Sequence, residues 1–149
     1  YLGHWSGRCA CSPDRIAGYR SRISGPLLDR IDLHVEVPAL RDTDLVSAPY
    51  GESSKAVRER VEEAHGIQLR RQGCPNAQLA GREIEERARI DAEGEKHLRN
   101  ALSRLRLSAR AHHRVLKVAR TIADLQQRAE VRFGDVAEAL QYRGTTANR

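Results

Sequence analysis

The sequence contains no methionine, one phenylalanine, one tryptophan and three cysteines, and lysine supplies only three of its 26 basic residues. With aromatics at 4%, a core must be built from Leu, Ile, Val and Ala, a mixture that favours packed helices over a β-sandwich. Three cysteines do not make a disulfide framework, and Cys9 and Cys11 stand too close together to staple a loop. This usage fits a reducing cytoplasm. No apolar run approaches the roughly 18 residues of a membrane span. The opening Tyr1-Leu2-Gly3-His4-Trp5-Ser6-Gly7-Arg8 lacks the basic and apolar regions of a signal peptide. The missing methionine, even at position 1, leads us to expect a piece of a longer protein.

What is present is charge, at 31% of 149 residues, with a net value of +6. Residues 1–103 carry 16 basic and 16 acidic side chains, whereas residues 104–149 carry ten basic and four acidic. The C-terminal segment therefore supplies the whole excess. Arginine presents a planar fork suited to phosphate, which makes a nucleotide or nucleic acid a natural partner. A general bias toward arginine would give the same ratio, so the clustering carries more weight than the count.

Along the chain, residues 1–13 read as loop. Ser12 caps a short helix from Pro13 to about Ile23, and Ser24-Gly25-Pro26 breaks it before a single turn at Leu27–Arg30. Ile31–Val37 then alternates apolar and polar residues up to Pro38, the one clear strand signal. A lone strand needs partners, so its sheet is expected upstream of Tyr1. Residues 1–40 are thus read as the incomplete end of an α/β core, 41–52 as a linker and 53–149 as a helical domain of about four helices. In the last region, Ser53 or Ser54 caps a helix to about Gln72, with Val57, Val61 and Ala64 on one face. Gly81–Arg89 is a loop or short helix, and Leu98, Ala101, Leu102 and Leu105 mark another helix between Ile90 and Leu105. Ser108 caps the strongest helix, about Ala109–Ala129, with Ala111, Val115, Val118, Ile122 and Leu125 as its apolar stripe. A final short helix starts at Asp135 with Val136, Ala139 and Leu140 inward, and 143–149 reads as a frayed tail. The predicted class is mainly α.

Opposite that apolar stripe, Arg106, Arg110, Arg114, Lys117 and Arg128 fall within one sector, which Thr121 and Asp124 share. Such a stripe is either a solvated face or a set of phosphate contacts, to a nucleotide at the helix start or to a nucleic-acid backbone along its length. Arg110, in the first turn, is the nucleotide candidate. Arg30 occupies a rigid corner flanked by Asp29 and Asp32, which either neutralise it or leave it to stabilise charge on a transferred phosphoryl group across a subunit boundary. Cys9-Ala10-Cys11 is half of a tetrahedral thiolate site and, taken alone, two free thiols. His112 and His113, as helical neighbours, are predicted to point to different sides and not to share a metal. No phosphate-binding GxxxxGK[ST] loop, zinc-protease HExxH or nucleophile elbow is present, so no complete active site is expected in these 149 residues.

Two long runs carry a family resemblance. Cys9-Ala10-Cys11-Ser12-Pro13 followed by Tyr19-Arg20-Ser21-Arg22-Ile23-Ser24-Gly25-Pro26-Leu27-Leu28-Asp29-Arg30-Ile31-Asp32-Leu33-His34-Val35-Glu36-Val37-Pro38 resembles the end of the AAA+ module in magnesium-chelatase-like proteins of the ComM/YifB group. Leu107-Ser108-Ala109-Arg110-Ala111-His112-His113-Arg114-Val115-Leu116-Lys117-Val118-Ala119-Arg120-Thr121-Ile122-Ala123-Asp124-Leu125 resembles their C-terminal lid. Arg70-Arg71 with Asn76–Leu79 is similar to the segment between, and Glu138–Arg143 to the closing element. The resemblance implies a hexameric, ATP- and Mg²⁺-dependent motor that acts on DNA in branch migration during natural transformation. Its Walker A, Walker B and sensor 1 elements would lie upstream, so this chain alone is expected to be inactive and to hold no cofactor. Arg30 matches the arginine finger that acts on a neighbouring subunit's ATP, and Arg110 the sensor 2 arginine. Cys9 and Cys11 match the second half of a four-cysteine cluster, which makes zinc an expectation for the full protein. DNA contact is expected along Arg106, Arg114, Lys117 and Arg128. Two alternatives stand beside this reading: the motor subunit of a magnesium chelatase, and a stand-alone basic helical DNA-binding module. No membrane partner is expected.

Overall fold

The computed structural model describes residues 7–40, 51–105 and 107–144. They divide into two compact units, one containing the chain up to Ile31 and the segment Val35–Gly51, the other Asp32–His34 and everything from Glu52 onward. The expected Arg106 contact, the 145–149 part of the tail and residues 41–50 of the linker lie outside the described residues.

In the first unit, Ser12 and Ser24 do what their sequence positions predict. The Ser12 hydroxyl accepts from the Arg15 N–H at 3.4 Å and opens α1, Pro13–Arg20. The Ser24 hydroxyl accepts from the Leu27 N–H at 3.4 Å and opens the single-turn α2, Gly25–Leu28. Neither helix buries a residue. The strand expected over Ile31–Val37 does not form, and no strand occurs among the described residues. Its alternating pattern has no neighbouring strand there to complete a ladder, and Val35 and Val37 remain exposed.

The second unit is helical, as the composition predicts. Its elements are α3 (Ser54–Gln72), a 3₁₀ turn at Asn76–Gln78, α4 (Gly81–Ala88), α5 (Ala92–Arg104), α6 (Ala109–Leu125) and α7 (Phe133–Gly144). The caps are local and readable: Ser53, Asp91 and Ser108 each accept a first-turn N–H. Glu83 reaches back to the Ala80 N–H at 2.8 Å to open α4. Gly73 closes α3 in the left-handed conformation, φ 77°, which glycine adopts without steric cost.

Helix α6 is the hub, packed against α3, α4, α7 and the 3₁₀ turn, while α5 packs on α7. Ile84, Leu98, Val115, Leu116, Ala119, Ala123, Val131, Val136 and Ala139 form one buried cluster around it. Each of the larger aliphatic side chains contributes about 1.5–3 kcal/mol by leaving water. A parallel bridge between Ile90 and Val131 ties the α4–α5 loop to the α6–α7 loop. The apolar face expected on α3 is different in kind. Ala64 and Gln68 are its buried residues, whereas Val57 and Val61 are exposed, because only the C-terminal half of α3 lies on α6.

Candidate functional site

Arg30 follows α2 and its C-cap residue Asp29. Its backbone N–H donates to the Leu27 carbonyl at 2.9 Å, and its Nη1 donates to the Pro26 carbonyl at 3.0 Å, so the turn itself fixes the side chain's root. The residue is exposed. One of the two acids flanking it in sequence, Asp32, is engaged by Arg114 in the second unit.

The basic sector of α6 separates into four environments. Arg110 is exposed in the first turn and has no ion pair among the described residues. Ser108 caps that turn by accepting the Ala111 N–H at 3.2 Å, and the positive end of the helix dipole lies beside Arg110. Arg114 is half-buried and donates to Asp32, and Lys117 donates to the Ala77 carbonyl at 2.8 Å. Arg128 is not on the helix: α6 ends at Leu125, Gln127 turns through φ 55°, and the Arg128 N–H returns to the Ala123 carbonyl. Its guanidinium grips buried Asp135 through both Nη atoms. The structure thus places Arg114, Lys117 and Arg128 in contacts that hold the unit together, and the expected continuous basic face is interrupted.

Asp124, expected on the solvated sector, is fully buried, because α3 covers the C-terminal half of α6. Arg71 meets it with two hydrogen bonds of 2.5 and 2.8 Å, Asn76 Nδ2 donates at 2.9 Å, and Arg120 Nε donates at 3.1 Å. Arg120 is itself fully buried and spends its remaining donors on the carbonyls of Ala88, Arg128 and Ala129. Burial pushes this guanidinium below its usual value and Asp124 opposes the shift. The network is saturated, which is the condition for a buried charge to persist.

Cys9 is half-buried and Cys11 exposed. The Cys11 backbone N–H pulls the Cys9 thiol below its usual value, while the hydrogen bond with Cys9 raises the Cys11 thiol.

Their adjacency on a helix predicts that His112 and His113 diverge. Their ring centroids are instead 5.5 Å apart, and both face Glu85 of α4. His113 Nε2 lies 3.0 Å from Glu85 Oε1 and His112 Nδ1 4.0 Å from the same oxygen. Burial lowers the His112 imidazole below its usual value, His113 adds to the shift and Glu85 opposes it. Arg71, Asn76 and Arg120 stand in the sequence only within family-like segments, with no role assigned to them there. Only the Arg120/Asp124 spacing, an i, i+4 pair set among Ala119, Ile122 and Ala123, signalled a buried ion pair.

Against known families, residues 1–45 match the model for magnesium chelatase subunit ChlI, and residues 51–143 match the model for the ChlI C-terminal region. The chain is 45% identical over 143 residues to competence protein ComM of Haemophilus influenzae, which covers 95% of this chain and 28% of that protein. It is 42% identical over 144 residues to YifB of Salmonella typhimurium, again 95% and 28%. A Mycobacterium bovis protein, Mb2921c, is 39% identical over 145 residues, 95% of this chain and 29% of the relative. The chain spans under a third of the length of these relatives. From the two ChlI models, which together span most of its residues, and from the relatives they agree with, the chain belongs to the magnesium-chelatase ChlI-like family that includes ComM and YifB.

Proposed function

We propose that this chain is the C-terminal portion of an ATP-driven AAA+ motor that remodels DNA, of the kind that performs branch migration in natural transformation. The observation that carries the reading is the 45% identity to a competence protein across 95% of the chain. In this reading 53–149 is the lid, and the motor assembles as a hexamer in the cytoplasm. Arg30 acts from one subunit on the ATP of the next, stabilising charge on the transferred γ-phosphoryl group, and Arg110 contacts the phosphates from the lid. Exposure supports both assignments, since neither guanidinium is buried in a structural ion pair. ATP with Mg²⁺ would supply the driving reaction, and Cys9 and Cys11 would give two of four zinc ligands.

The test uses the full-length protein. Arg30→Ala is expected to lower ATP turnover by about 10³-fold or more while nucleotide affinity holds. Loss of affinity together with folding would assign Arg30 a structural role instead. A second reading, the motor subunit of a magnesium chelatase, is favoured by the name of the matched family models. Stimulation of ATP turnover by branched DNA supports the first reading. Stimulation by a porphyrin-binding partner, with DNA inert, supports the second.

A further inference from the structure

Glu85 projects from α4 toward two consecutive histidines of α6, and one donor atom from each of the three residues lies within 4.8 Å of the other two. A hydrogen bond accounts for His113, whose Nε2 is 3.0 Å from Glu85 Oε1. It does not account for His112, whose Nδ1 is turned toward the same oxygen at 4.0 Å, beyond hydrogen-bonding reach. Both rings are half-buried and Glu85 is half-exposed, so a convergent face remains open to solvent. The His113 ring is also given room. A Cβ on Gly81, the first residue of α4, would lie 2.8 Å from His113 Cε1, so the ring occupies space that any other residue at 81 would take.

We propose that Glu85, His112 and His113 form a binding site for a borderline divalent transition-metal ion, with zinc the representative. Two imidazole nitrogens and one carboxylate oxygen are a donor set that such ions prefer, and three protein ligands leave a fourth position for water. Around tetrahedral zinc, with bonds of about 2.0–2.1 Å, neighbouring donors stand about 3.3 Å apart. The 3.0 Å and 4.0 Å separations from Glu85 bracket that value, and all three donors lie within 4.8 Å of one another, so side-chain rotation alone is needed to draw them onto one ion. The ion would cross-link α4 to the first turns of α6, close in sequence to Arg110. The site is independent of the cysteine pair and of the motor reading.

The test is zinc titration of the 149-residue chain carrying Cys9→Ser, Cys11→Ser and Cys74→Ser, which removes competing thiolates. Calorimetry is expected to show one zinc per chain. Affinity should fall at least about tenfold in each of Glu85→Gln, His112→Ala and His113→Ala, with unchanged helical circular dichroism. In the histidine-intact chain, zinc should shift the imidazole NMR signals of His112 and His113 and leave those of His65 and His97 in place. Absence of one-site binding, or wild-type affinity in any one of the three variants, would overturn the site. The NMR result decides the matter if a variant fails to fold.

Discussion

The two ends of α6 carry the same residue type to opposite ends. At its start Arg110 lies exposed and has no ion pair among the described residues. Ten residues on, Arg120 is fully buried, paired with Asp124, and hydrogen-bonded to three carbonyls from the ends of two other segments. The difference lies in what packs around each, since α3, the end of α4 and the α6–α7 loop enclose one guanidinium and leave the other to solvent. Burial, which a net charge of +6 does not report, therefore decides which of these cations a ligand can reach. Of the basic residues of the C-terminal segment, Arg114, Lys117, Arg120 and Arg128 are engaged with Asp32, the Ala77 carbonyl, Asp124 and Asp135.

The strongest way to break this comparison is to cut the buried network. Arg120→Ala is expected to destabilise the helical unit by about 3–5 kcal/mol, because it leaves the Ala88, Arg128 and Ala129 carbonyls without this donor, empties a buried side-chain volume and takes one partner from Asp124, which keeps Arg71 and Asn76. Denaturant unfolding measures it. A loss comparable to that of a surface substitution, within about 0.5 kcal/mol, would mean that Arg120 is no more structural than Arg110. A smaller effect is expected at Arg128→Ala, about 1–3 kcal/mol, since Asp135 keeps the Arg132 N–H as a partner. That value also sharpens the comparison, as it separates an ion pair at the loop from a cation on a binding face.

The smallest effect is a pH dependence. The His112 imidazole has a lowered folded value, so the unfolded chain binds more protons as pH falls through the ordinary histidine value of about 6.5. Its contribution to stability is intact above that value and is lost progressively as pH drops from it toward the folded value. Thermal unfolding midpoints from pH 7.5 downward should show this decline, and His112→Gln should flatten it. An unchanged slope in the variant would assign the acid sensitivity elsewhere.

Local signals in the sequence transferred well to the fold. Ser12, Ser24, Ser53 and Ser108 open helices because a hydroxyl acts on N–H groups two or three residues away, with no need of tertiary context. The inward positions Val115, Ile122, Val136 and Ala139 followed from helical periodicity. What was lost depended on neighbours distant in sequence. Asp124 looks solvated until Arg71, 53 residues away, arrives to pair with it. The end of α6 is set by Gln127 and by Arg120 drawing back the carbonyls of residues 128 and 129, which took Arg128 off its expected face. Helical neighbours diverge at their roots, and Glu85, 28 residues before His113, supplies the focus that brings His112 and His113 together. The alternating run at Ile31–Val37 has the pattern of a strand but forms none, because no described residue pairs with it as a strand.

The most direct test of the account couples function to stability at one residue. In the full-length protein carrying Arg110→Ala, ATP turnover and the thermal unfolding midpoint should be measured on the same preparation. The expected result is a collapse of turnover with a midpoint shift of no more than about 2 °C, consistent with a surface substitution worth under about 0.5 kcal/mol. Turnover at the wild-type level, or a midpoint that falls as far as it does for Arg120→Ala, would contradict the division of α6 into a functional start and a structural end.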